Sequence, residues 1–193
     1  MLEAQKISKY YGDFCAVNEV SFRCQPGDIL GFLGNNGAGK STTMKMLTGF
    51  LQPTSGRAIV NDFDVAQDSL GARKSLGYLP ENAPLYPEMT VRGFLSFIAE
   101  VRSYKGLAKE KRIDEILELC FLREVEHQVI ETLSKGYKQR VGLAQAIFHD
   151  PQVLIMDEPT DGLDPNQKHV VRNLIKQMGS EKTIILSTHI LEE

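Results

Sequence analysis

Two stretches of this chain carry residue types that could act on a phosphate ester. The first, Gly34-Asn35-Asn36-Gly37-Ala38-Gly39-Lys40-Ser41-Thr42, fits the pattern Gly-x4-Gly-Lys-Ser/Thr. Glycines let the backbone turn its N–H groups inward as a nest for an anion, and a helix starting behind them adds the positive end of its dipole. Lys40 would reach the β- and γ-phosphates of a nucleotide, and the Ser41 hydroxyl would bind Mg²⁺. A plain glycine turn ahead of a lysine is the competing reading. It is disfavoured because an apolar run, Ile29-Leu30-Gly31-Phe32-Leu33, precedes the motif and a helical stretch follows it.

The second stretch is Val153-Leu154-Ile155-Met156-Asp157-Glu158, four apolar residues ending in two acids. Carboxylates at the end of a buried strand are expensive unless they meet a cation or a reacting group. Asp157 fits a Mg²⁺ partner acting mainly through coordinated water. Glu158, one residue further and on the opposite face of an extended chain, fits a general base that polarises an attacking water. Alone, the pair could be an exposed acidic turn before Pro159; beside the phosphate loop that reading loses its weight.

The elements around these residues alternate between strands and helices. Residues 1–24 read as short strands divided by a turn at Gly12-Asp13. The run Ile29–Leu33 reads as a buried central strand, Lys40 to Phe50 as a helix, and Ala58-Ile59-Val60 as a strand. Pro80, Pro84 and Pro87 then form a stiff connector, since proline fixes φ and resists helix interiors. Thr90 can cap a helix whose apolar positions are Val91, Phe94, Leu95, Ile98 and Val101, and Ile113, Ile116, Leu117 and Cys120 mark a second. These place a helical insertion at about 83–150. Strands at Val153–Asp157 and Thr183–Ser187 flank a helix from Gln167 to Met178. The fold class expected is α/β: a P-loop NTPase with a mostly parallel central sheet, an N-terminal antiparallel β subdomain and an inserted helical subdomain.

Composition bounds the function. The 193 residues are 42% hydrophobic and 24% charged, with 22 basic and 25 acidic side chains and a net charge of −3. That balance argues against a strongly basic nucleic-acid binder. No apolar run approaches the ~20 residues that span a bilayer, and the amino terminus lacks the apolar stretch of a secretory signal. Cys15, Cys24 and Cys120 are odd in number and show no Cys-x-x-Cys spacing, which disfavours a disulfide scaffold or a zinc ribbon. A reduced, intracellular, soluble protein is the expectation. His127, His149 and His169 show no metal-ligand spacing and read as surface or packing residues.

Four further segments make the chain resemble the ATP-binding subunit of an ABC transporter. Leu133-Ser134-Lys135-Gly136-Tyr137-Lys138-Gln139-Arg140 is similar to that family's signature sequence, and Asp161-Gly162-Leu163-Asp164-Pro165 to its D-loop. Ser187-Thr188-His189 resembles its switch-histidine segment, and Gly77-Tyr78-Leu79-Pro80-Glu81-Asn82 its Q-loop. The order and spacing agree over about residues 5–193, and the variants resemble the exporter-like group of gliding-motility and multidrug ATPases.

The resemblance implies a head-to-tail homodimer, or a heterodimer with a second ATP-binding subunit, with two ATP molecules at the interface. Ser134 and the Gly136 backbone would face the γ-phosphate held by the other copy, and Asp164 would couple the two sites. His189 would contact the γ-phosphate and orient water with Glu158. Tyr11 would stack on adenine, with Tyr10 adjacent and either able simply to pack. Glu81 would bind Mg²⁺ where the family usually has a glutamine. Membrane permease subunits are the implied partners, not nucleic acid, and the implied location is the cytoplasmic face of the cell membrane. Family members continue beyond the switch histidine, so a C-terminally incomplete domain is expected here. Two rivals stand beside this reading: a non-transport relative working on nucleic acid or ribosomes, and a module that binds ATP but barely turns it over.

Overall fold

A computed structural model of the chain describes residues 1–189. It forms two compact units: one of Met1–Tyr78, Pro151–Glu158 and residues 175–189, the other of Leu79–Asp150 and Pro159–Leu174.

The first unit is built on strands β1 (Leu2–Tyr11), β2 (Phe14–Cys24) and β3 (Ile29–Leu33), helix α1 (Lys40–Leu47), strands β4 (Ser55–Val60) and β5 (Phe63–Asp64), helix α2 (Ser69–Ser75) and strand β6 (Leu76–Leu79). Strands β7 (Val153–Asp157) and β8 (Thr183–Thr188) complete it. One sheet is antiparallel, in the order β2-β1-β4-β5; the other has the order β3-β8-β7-β6, with β8 parallel to both β3 and β7. The turn at Gly12-Asp13 closes the β1–β2 hairpin, leaving Tyr11 opposite Phe14. Apolar side chains of both sheets meet on α1: Leu2, Ile7 and Val60 from one side and Val153, Ile155 and Ile185 from the other join Met44, Met46 and Leu47 in a single core. Burial of this kind is the main term holding α1, and with it the loop before it, in place.

Two sequence expectations change. The run Ile29–Leu33 is an edge strand among the described residues rather than a buried central one: it pairs only with β8, and Ile29 and Leu33 are 44% and 52% exposed. The central place belongs to β8, whose six residues are all buried. Helix α1 ends at Leu47 rather than Phe50, because Gly49 turns left-handed at φ +76 and the Leu51 N–H folds back to the Lys45 carbonyl.

The second unit is helical, with α3 (Val91–Val101), α4 (Gly106–Leu119), α5 (Lys135–Ile147) and the start of α6 (Pro165–Gly179). The Thr90 hydroxyl accepts from the Gly93 N–H at 3.1 Å, the cap that the sequence predicts for α3. Phe94, Leu95, Ile113, Ile116, Leu117, Leu143 and Phe148 are buried. On its surface, Arg92 donates to Glu110, Asp114 and Glu126 at 2.9, 3.0 and 2.8 Å, tying α3 to α4 and to the turn that follows α4. Among the described residues no helix is long and apolar enough to cross a membrane.

Candidate functional site

Three parallel strands release the chain at one level. Leu33 is opposite Thr188 and Asp157 opposite Ser187, so Gly34, Glu158 and His189 each follow a strand end on the same edge of the sheet. In open α/β sheets, ligands bind outside these carboxyl ends. Lys40 Nζ lies 2.5 Å from the Gly34 carbonyl and 3.3 Å from that of Asn35, and 3.8 Å from Glu158 Oε1. Nδ1 of His189 is 3.0 Å from Glu158 Oε2. The Lys40 and Glu158 side chains are only 10% and 12% exposed, so the pair attracts through a medium of reduced dielectric.

Asp157 is 3% exposed, and its Oδ1 accepts from the Ser187 hydroxyl at 2.5 Å. That same hydroxyl oxygen accepts from the Glu158 N–H at 2.9 Å. Ser187 therefore fixes both acids from the neighbouring strand. The sequence offers no functional signal for it beyond its place two residues before His189, because the contact exists only through the β7–β8 register. Glu158 also departs from the extended geometry expected of it. Strand β7 ends at Asp157, and Glu158 adopts φ +50, a left-handed conformation. Its aim comes from that turn and not from strand alternation.

The residues from Gly34 to Gly39 form the loop between β3 and α1, with Lys40, Ser41 and Thr42 in the first helical turn. The Ala38 N–H donates to the Asn35 carbonyl at 3.2 Å. Gly39 has φ +87, and a Cβ there would stand 2.5 Å from the Ala16 carbonyl oxygen, so the loop lies directly on β2 and only glycine fits. Beyond that contact, Tyr11 is 52% exposed at the hairpin end. Tyr10 is engaged otherwise: its hydroxyl reaches Asn18 Oδ1 at 3.4 Å, and a hydrogen bond with Cys15 raises its pKa.

The donor set suits a divalent cation held together with phosphate oxygens. Asp157 is a buried carboxylate answered by one hydroxyl, and the Ser41 hydroxyl is half-buried at the start of α1. The buried Tyr78 hydroxyl has no hydrogen-bond partner among the described residues, and burial together with the Asp157 charge pushes its pKa up to about 12. Among those residues no cluster of three His, Cys, Asp or Glu side chains is placed to hold a metal ion.

The remaining sequence candidates lie in the second unit. Ser134 caps α5, its hydroxyl accepting from the Tyr137 N–H at 3.4 Å. A Cβ on Gly136 would meet the far end of the Gln167 side chain, which would have to swing aside, so the starts of α5 and α6 pack closely here. Lys135 Nζ forms an ion pair with Asp161 at 2.8 Å. Asp164 has an intrachain task, its Oδ1 accepting from the N–H groups of Asn166 and Gln167 at 2.9 and 3.0 Å as the cap of α6. Tyr137 hydrogen-bonds Glu124 and stacks beneath the Arg140 guanidinium, 4.2 Å from the ring centroid. Glu81 lines a groove of about 390 Å³ with Leu85, Pro87, Ile130, Glu131 and Lys138.

The ABC transporter family model matches residues 17–161. The probable multidrug ABC transporter ATP-binding protein YbhF of Escherichia coli is 37% identical over 194 residues, covering 100% of this chain and 34% of that protein. The Nod factor export ATP-binding protein I of Rhizobium etli is 38% identical over 193 residues, covering 100% of this chain and 61% of its own length. A solved ATP-binding subunit of an ABC transporter superposes with a TM-score of 0.89 at 31% identity, covering 99% of this chain and 80% of that one. The chain thus spans about a third of the first relative and about three fifths of the second.

Proposed function

The chain belongs to the ABC transporter family, and from that premise we propose that it binds and hydrolyses ATP to power export of a substrate through a separate membrane permease. The observation that carries the reading is the meeting of Lys40, Glu158 and His189 at 3.8 and 3.0 Å beside the buried Asp157. Two relatives, one named for multidrug transport and one for Nod factor export, favour export.

In this reading the N–H groups of residues 34–39 and the start of α1 cradle the triphosphate, while Lys40 gives up its loop carbonyls for the β- and γ-phosphates. Mg²⁺, held by Ser41 and Asp157, would neutralise the charge on the phosphates, with Glu81 the further ligand the family resemblance suggests. Glu158 accepts the proton of the attacking water, and His189, against its carboxylate, holds that water in line. Phosphoryl transfer asks mainly for positioning and charge neutralisation, which these groups supply.

A second copy, or a related subunit, would bring Ser134, Gly136 and Asp164 to the other side of the triphosphate, head to tail. The groove beside Glu81 would receive the permease, which puts the subunit at the cytoplasmic membrane face, with no nucleic acid among its partners. Steady-state phosphate release tests the catalytic reading. Glu158→Gln should bind ATP and release phosphate roughly 10²–10⁴-fold more slowly than the parent chain; indistinguishable rates would overturn the catalytic assignment, and two rates at background would leave a module that binds ATP and barely turns it over. Co-purification with a membrane subunit tests the partner.

A further inference from the structure

Lys9 and Tyr11 point to the same side of β1, two residues apart, and their side chains touch. Lys9 Nζ stands 5.4 Å from the centroid of the Tyr11 ring, within the range of a cation–π contact. The ammonium also donates to the Gln52 carbonyl at 2.9 Å. Gln52 follows α1, the helix that opens at the phosphate loop, and two more bonds fasten β1 to the same segment. The Thr54 N–H donates to the Ser8 carbonyl at 2.8 Å, and the Tyr10 N–H to Thr54 Oγ1 at 3.1 Å. Lys9 is half-buried along this seam, whereas Tyr11 is 52% exposed.

We propose that Lys9 is a positioning residue for the nucleobase: it covers one face of Tyr11, holds the ring upright, and leaves the opposite face as the stacking platform. The inference rests on the reading of Tyr11 as the adenine platform. A cation on one face draws π-electron density toward itself, which favours stacking of an electron-rich purine on the other. Because Lys9 is fixed to the segment after α1, the ring is held at a set distance from the triphosphate cradle. Lys9 itself touches neither base nor phosphate.

The test compares binding of ATP with binding of inorganic tripolyphosphate, which has no base, to the full chain by titration calorimetry in Mg²⁺. Lys9→Met keeps the length of the side chain and removes its charge. It should weaken ATP binding about two- to five-fold, leave tripolyphosphate binding unchanged, and be rescued by Lys9→Arg. Tyr11→Ala should weaken ATP binding by a larger factor, about five-fold or more, again without touching tripolyphosphate. If Lys9→Met leaves ATP binding intact, or weakens ATP and tripolyphosphate alike, the proposal is overturned while Tyr11 keeps its place. If Tyr11→Ala spares ATP binding, the platform reading fails first, and Lys9 falls with it. Unchanged tripolyphosphate binding also certifies that each variant is folded around its phosphate loop.

Discussion

At the scale of single residues, the candidate site depends on a serine that carries no charge. The Ser187 hydroxyl donates to one acid and receives an N–H from the next, so its loss strands a buried carboxylate and a backbone donor together. Ser187→Ala should therefore destabilise the chain by about 1.5–3 kcal/mol, the usual range for a hydrogen bond to a charged group, as measured by urea unfolding. A loss below about 0.5 kcal/mol would mean that water replaces the hydroxyl and that the two acids are positioned by their strand alone. Lys40, Asp157 and Glu158 were legible as candidates in the sequence, because each lies in a short contiguous motif, whereas His189 was reached only through the family resemblance. Ser187, the left-handed turn at Glu158 and the pairing of Lys9 with Tyr11 were not legible. Strand register, backbone conformation and side-chain rotamer are settled by contacts between residues that pattern reading treats separately.

At the scale of elements, the parallel pairing of β3, β8 and β7 is what assembles the site, and the ion cluster around Arg92 does the same service for the helices of the second unit. Hydrogen bonds from Arg92 and Arg123 hold the Asp114 carboxyl below its ordinary value of 3.8, and the guanidinium of Arg92 is in turn held protonated by Asp114, Glu126 and Glu110. A carboxylate whose folded pKa is depressed stabilises the fold above its unfolded pKa and loses that contribution as the pH falls through the depressed value. Thermal unfolding should thus show an acid limb below about pH 4. Arg92→Met should flatten that limb and lower stability at neutral pH; an unaltered profile would show that Arg123 alone suffices. The sequence places the helices here by their apolar spacing and by Thr90, but the charged run 109–112 carries no such signal. Arg112 in fact donates to the Phe148 and Ile147 carbonyls at 2.7 and 3.2 Å, and Lys109 pairs with Glu100 at 2.7 Å. Charge identity in a sequence does not say which charges find partners across helices.

At the scale of the molecule, the fold class was readable from strand–helix alternation and a helical insertion at about 83–150 from apolar spacing, whereas the joining of Pro159–Leu174 to Leu79–Asp150 in one unit follows from contacts alone. The phosphate loop, Asp157, Glu158 and His189 all belong to the first unit. Mg-ATP should accordingly raise the stability of the full chain by about 2.7 kcal/mol at a hundredfold excess over its dissociation constant. Calorimetry should record this as a higher unfolding temperature. Lys40→Ala should abolish the rise; a rise that survives would put the triphosphate somewhere other than the loop.

The backbone of Glu158 carries a further consequence. A glutamate at φ +50 lies where an L-residue costs roughly 1–2 kcal/mol more than glycine does. Glycine or asparagine would relax the main chain at this corner, and either would remove the acid that faces His189. Selection for heat tolerance and selection for an acid at this position consequently pull this one codon in opposite directions, and unsupervised stabilisation would reach a hardened chain that has lost its carboxylate.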